Sequence, residues 1–92
     1  LRDLNEVGKR IMWCRKQLDL TGMDVSRAVK IPPASYLGRE SGVRAQYHEE
    51  YLALADFFNS KWKTKFGQLF PSYGGNEIAE IKVSWIMFGI ME

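Results

Sequence analysis

Cysteine is almost missing from this chain: of its 92 residues only Cys14 carries a thiol. That excludes an intrachain disulfide and a cysteine-rich metal site, and makes a reducing compartment the expectation. Histidine is as scarce. His48 stands alone, with Glu49 and Glu50 beside it, a poor set of ligands for a metal ion. No nucleophile–base arrangement, phosphate-cradling glycine loop or carboxylate pair in a cleft emerges, so neither an enzyme nor a cofactor is expected. No apolar run approaches the roughly 18 residues a membrane helix needs. The opening Leu-Arg-Asp-Leu-Asn resembles no secretion signal, and the missing initial Met reads as trimming. The expected setting is the cytoplasm, away from membranes. A strong charge of one sign is lacking too, because 13 Lys and Arg against 11 Asp and Glu leave only +2.

What remains is an ordinary globular composition, 46% apolar and 26% charged, sufficient for one domain with a modest core. The small positive surplus is unevenly placed. Residues 1–44 carry nine Lys or Arg against five Asp or Glu, and the remainder four against six. That asymmetry directs a phosphate-bearing partner to the front half.

Periodicity predicts helices. Val7, Ile11, Cys14 and Leu18 form one apolar stripe over residues 5–18, with Asn5 as the cap. On that stripe Cys14 reads as a small buried side chain, not a reactive thiol. Thr21 caps a second helix through about Val29, and Lys30 and Ile31 make the turn. The third helix starts near Pro33, where a missing N–H costs nothing, and ends at Arg39 or Glu40 before Gly42, a residue free to adopt positive φ. A fourth helix is predicted from His48 to Phe58, closed by Asn59 and Ser60. Trp62, Phe66, Leu69 and Phe70 fit a short amphipathic helix stopped by Pro71. Residues 71–76 read as a loop. From Glu77 to Met91 the spacing fits a strand (Ile81, Val83, Trp85, Met87) or a helix (Ile78, Ile81, Trp85, Phe88).

Two short helices a few residues apart, spanning Asp19 to Tyr47, have the size of a helix-turn-helix, whose second helix enters a DNA major groove. The ordered pattern resembles the Cro and phage-repressor (XRE-like) family from about Val7 to Asn59. Arg15 sits where the family has an arginine late in helix 1. Leu20-Thr21 matches its Leu-Thr-Gln, Glu40-Ser41-Gly42 its Glu-x-Gly, and Leu54-Ala55 with Phe58 its Ile-Ala-x-x-Leu. Trp85-Ile86-Met87-Phe88-Gly89 looks like the Trp-Leu-Leu-x-Gly ending of many phage repressors. The resemblance implies an all-α, five- or six-helix, lambda-repressor-like domain, with residues 1–59 as the DNA-binding core and 60–92 as an oligomerisation segment packed on it. It also favours a helix for the last stretch.

The resemblance further implies an ion pair between Arg15 and Glu40 and a repressor, phage or prophage encoded, that binds double-stranded operator DNA as a homodimer. The expected DNA contacts are Arg15, Thr21, Gly22, Pro33, Ala34, Ser35, Leu37, Gly38, Arg39 and Arg44. Gly22 replaces the family's phosphate-binding glutamine, so only its N–H would serve. Pro33, Ala34 and Gly38 stand at base-reading positions without a hydrogen-bonding side chain. Leu37 replaces a usual serine, Tyr36 takes the buried isoleucine-like place, and Arg39 stands where an apolar residue is common. Direct reading would then be largely apolar, with Ala34 and Leu37 on thymine methyls, Ser35 on either base edge, and Arg39 on guanine or phosphate.

Trp85, Ile86, Met87, Phe88 and Ile90 read either as core or as the oligomer interface. With no room for a self-cleaving domain, release by a protein antirepressor is the expectation. The aromatics Tyr51, Phe57, Phe58, Trp62 and Phe66 read as core before a base-stacking surface, and Lys61, Lys63 and Lys65 as a solvated face. The competing class is a protein-interaction module on the same fold, such as an antitoxin, controller or adaptor.

Overall fold

The computed structural model describes residues 4–42 and 48–90. They form α1 (Leu4–Gln17), α2 (Gly22–Ala28), α3 (Pro33–Glu40), α4 (His48–Phe66), a hairpin of β1 (Ser72–Tyr73) and β2 (Asn76–Glu77), and α5 (Val83–Phe88). The architecture is mostly helical. Among these residues no helix is long and apolar enough to cross a membrane.

The stripe of α1 is the floor of the core: Val7, Ile11, Cys14 and Leu18 are all buried. Burial pushes the Cys14 thiol far above its ordinary range, as expected for an inert side chain. Asn5 does not precede this helix but lies inside its first turn, against Gly42. At the other end Lys65, from α4, donates to the Gln17 carbonyl at 2.6 Å and to the Asp19 carboxylate. The lysine thus completes a helix terminus whose last carbonyls lack intrahelical partners.

Between α2 and α3 the chain turns through Lys30 at φ +59°, and the Ile31 N–H returns to the Ser26 carbonyl at 3.0 Å. At Gly8 the backbones of α1 and the end of α3 come close together. A Cβ built on Gly8 would lie 2.8 Å from the Glu40 carbonyl carbon and 2.9 Å from the Arg39 oxygen, with the Glu40 oxygen nearer still. No side chain fits there.

Helix α4 does not stop at Asn59 and Ser60. It continues to Phe66, absorbing the first part of the separate helix expected from Trp62. Tyr51, Ala55, Phe58 and Trp62 recur along one buried face, so the stripe that begins the helix also extends it. Asn59 is spoken for by tertiary contacts. Its amide donates to the Ile81 carbonyl at 2.8 Å and accepts from the Ile81 N–H at 2.6 Å. Ser60 turns back onto the Phe57 carbonyl. The break comes at Gly67, with φ +59°.

The segment expected to be a loop contains a tight hairpin. Ser72 pairs with Glu77 and Tyr73 with Asn76 across Gly74-Gly75, both at positive φ, as a primed two-residue turn demands. Residues 78–82 are not helical. The Trp62 indole donates to the Ile78 carbonyl at 3.0 Å, and both Ile78 and Ile81 are buried. Helix α5 occupies only Val83–Phe88 and ends on Gly89 in the left-handed conformation. Arg10 of α1 reaches across to the Ile86 carbonyl at 2.9 Å.

One hydrophobic cluster, from Val7 to Ile86, draws on helices α1 to α5 and on the 78–82 stretch, with Tyr73 of β1 packed against it. Trp13, Tyr73 and Trp85 meet edge to face within it, at 5.2 to 5.9 Å between ring centroids, a geometry the ring quadrupoles favour.

Gly8→Ala separates packing from propensity. Helix propensity alone favours alanine by about 1 kcal/mol, whereas overpacking a closed backbone contact costs about 1–3 kcal/mol. Urea unfolding should show a lower midpoint for the variant. A raised midpoint would refute the close α1–α3 contact.

Candidate nucleic-acid interface

Helix α3 shows two unlike faces. Tyr36, Arg39 and Glu40 are buried toward the protein, while Pro33, Ala34 and Leu37 are exposed. The inner face is fastened first by Arg15. Its Nε donates to Glu40 Oε2 at 2.7 Å and its Nη2 to Oε1 at 3.0 Å, a two-pronged charge-assisted pair. Nη1 donates to the Leu20 carbonyl at 3.1 Å, so the same guanidinium also holds the entry to α2. The hydrogen bond to Glu40 raises the Arg15 pKa above its ordinary value. With three donors committed inside the protein, Arg15 serves α3 as a brace more than DNA as a contact.

Beside that pair lies the buried Tyr36 hydroxyl, with no hydrogen bond of ordinary geometry. Burial, and then the nearby Glu40 carboxylate, push its pKa well above the usual phenol range.

Arg39 requires a correction. Expected to reach guanine or phosphate, it is only 8% exposed, and its Nη2 contacts both Glu50 oxygens at 2.9 Å. A guanidinium turned inward against α4 is not presented to a groove. The signal was in the spacing, since Arg39 follows Tyr36 by three positions and so shares its face.

The start of α2 needs a second correction. The Thr21 hydroxyl accepts from the Asp24 N–H at 3.1 Å, and the Asp24 carboxylate accepts from the Thr21 N–H at 2.9 Å. This capping box satisfies Thr21 internally and puts a negative charge where a phosphate was expected. The backbone hydrogen bond from Thr21 is the main reason the Asp24 pKa lies below its ordinary value. Gly22 has a different role from a phosphate ligand. A Cβ there would stand 3.2 Å from Leu37 Cδ2 and 3.6 Å from the Tyr36 ring, so its bareness makes room for Leu37.

Ser35 and Gly38 are half-buried on α3. Arg44 lies outside the described residues. Exposed Arg27 and Lys30 lead into α3, and exposed Met23 follows Gly22 on α2; the sequence marked only Lys30, and only as a turn residue.

The expected oligomer patch is largely consumed by the fold. Trp85 and Ile86 are buried in the core at 2% and 0% exposure, Met87 packs against it, and only Phe88 and Ile90 face outward. Trp85 and Ile86 are therefore intramolecular core residues.

Two substitutions probe these assignments. The folded pKa of Asp24 lies below the unfolded value of about 3.9, so its contribution is complete above that pH and disappears as pH falls through the folded pKa. The stability gap between wild type and Asp24→Asn should thus be open at pH 7 and close in acid; a constant gap would contradict the capping box. Arg39→Ala removes the charge-assisted contact to Glu50 and should cost about 2 kcal/mol in chemical denaturation, and an unchanged midpoint would return Arg39 to the surface. In comparisons with known proteins, the chain matches no family model, no curated protein and no solved structure.

Proposed function

We propose that this chain is a DNA-binding transcriptional repressor of the Cro and phage-repressor type, with α2 and α3 as its helix-turn-helix and α3 as the helix that enters the major groove. The observation that carries the reading is the two-pronged Arg15–Glu40 contact. It holds the inner face of α3 against α1 and leaves Pro33, Ala34 and Leu37 directed outward on a rigid support. Arg27 and Lys30, exposed just before α3, supply positive charge for phosphates. In this reading two copies meet through their C-terminal thirds, at Phe88 and Ile90, and set their α3 helices about 34 Å apart on a near-palindromic operator. The setting in this reading is a bacterial cytoplasm carrying phage or prophage.

A second reading has its own support. Leu37 and Met23 are large, apolar and exposed, as on a protein-docking surface of an antitoxin, controller or adaptor.

Mobility shifts on flanking genomic DNA, repeated across salt, decide between the two. With Arg39 neutralised by Glu50, three of the four surplus positive charges of residues 1–44 (nine minus five) remain, and if each neutralises one phosphate, affinity should fall roughly fortyfold between 50 and 200 mM salt. A complete lack of shift at low salt would leave the protein-docking reading in place.

A further inference from the structure

The outward face of α3 carries unusual chemistry for a helix that reads bases. Its exposed positions in the first two turns are Pro33, Ala34 and Leu37. None has a side-chain hydrogen-bonding group. The arginine that could have supplied one is turned inward onto Glu50. In a major groove only one feature of a base pair is recognised by apolar contact, the methyl group at C5 of a pyrimidine.

Leu37 is also held in place. The residue is 55% exposed, yet its Cδ2 is backed by the bare backbone of Gly22, where any Cβ would stand 3.2 Å away. The ring of Tyr36, fully buried, lies beneath the same notch. A leucine supported from behind in this way loses little further freedom on contact. The residue pair is matched: a larger side chain at position 22 would displace Leu37, and a smaller one at 37 would leave the notch empty.

We propose that Leu37, seated on Gly22, reads the C5-methyl group of a pyrimidine, so that the operator is distinguished at that step by a methyl group and not by a hydrogen bond. The ligand chemistry is that of a 5-methylpyrimidine, which thymine and 5-methylcytosine share. The inference rests on the DNA-binding reading above.

The test uses the full chain and duplexes enriched by it from a randomised pool. The tightest duplex is resynthesised with deoxyuridine in place of each thymine in turn, and affinities are measured by fluorescence anisotropy for wild type and Leu37→Ala. At one position wild type should lose about fourfold on loss of the methyl, the worth of one buried carbon, while Leu37→Ala should bind both duplexes alike. At that same base pair, 5-methylcytosine against cytosine tells whether the second source of the methyl also serves, and a gain of similar size is expected. Gly22→Gln, shown to be folded by its thermal melt, should lose the discrimination as Leu37→Ala does, because its side chain displaces Leu37. Equal affinity for every uracil duplex, or a penalty that persists in Leu37→Ala, overturns the inference while leaving DNA binding intact. If no duplex is enriched, the DNA-binding reading fails and this inference fails with it.

Discussion

The contact between α1 and the last turn of α3 is the constraint from which the rest follows. Gly8 lets two backbones touch, and two turns further along α1 Arg15 grips Glu40 with both prongs. Neither part suffices alone. A guanidinium on a long side chain fixes direction but not depth, and a glycine contact fixes depth but not rotation. Together they set the height of α3 above the core and the azimuth of its outer face. Because Arg15 also binds the Leu20 carbonyl, the start of α2 is referenced to the same point.

Two consequences reach the outer surface. With Tyr36, Arg39 and Glu40 committed inward, only small or apolar residues remain outside. With Asp24 closing the capping box, the beginning of α2 gains order and loses attraction for anions. A short helix of seven residues is marginal in isolation, so its caps and the Gly22–Leu37 contact matter more than its own propensity. In this chain the side chains that define the surface of α2 and α3 also hold the two helices together.

Much of this was legible from residues. The stripe of Val7, Ile11, Cys14 and Leu18 is a local signal, and so are the Thr21 cap, the proline start of α3 and the positive-φ glycine after it. Local signals fail where a partner lies far along the chain. Asn59 and Ser60 have the composition of a helix end, yet the partner of Asn59 is Ile81, 22 residues away. Arg39 has the charge of a DNA contact, but its fate is decided by Glu50 on another helix. Ile81 and Trp85 satisfy both strand and helix spacing, and in the structure Ile81 lies in a non-helical stretch and Trp85 in a helix. Gly8 gives no periodic signal at all, since its function is to have no side chain. The Gly74-Gly75 pair did carry a readable hairpin signal, obscured by the loop-like residues around it.

The double hydrogen bond between Asn59 and Ile81 has a bearing on how the C-terminal third finds its place. A side-chain amide presents a donor nitrogen and an acceptor oxygen at fixed separation, so it pairs with a backbone unit the way a neighbouring strand would. It does so at a single residue. If residues 78–82 slipped by one position, Lys82 or Glu80 would be delivered to the buried seat of Ile81, and a charge would meet the core. A slip by one residue is therefore opposed twice, by the charge and by the loss of apolar burial, and a lone asparagine inside a helix marks the position at which the segment docks.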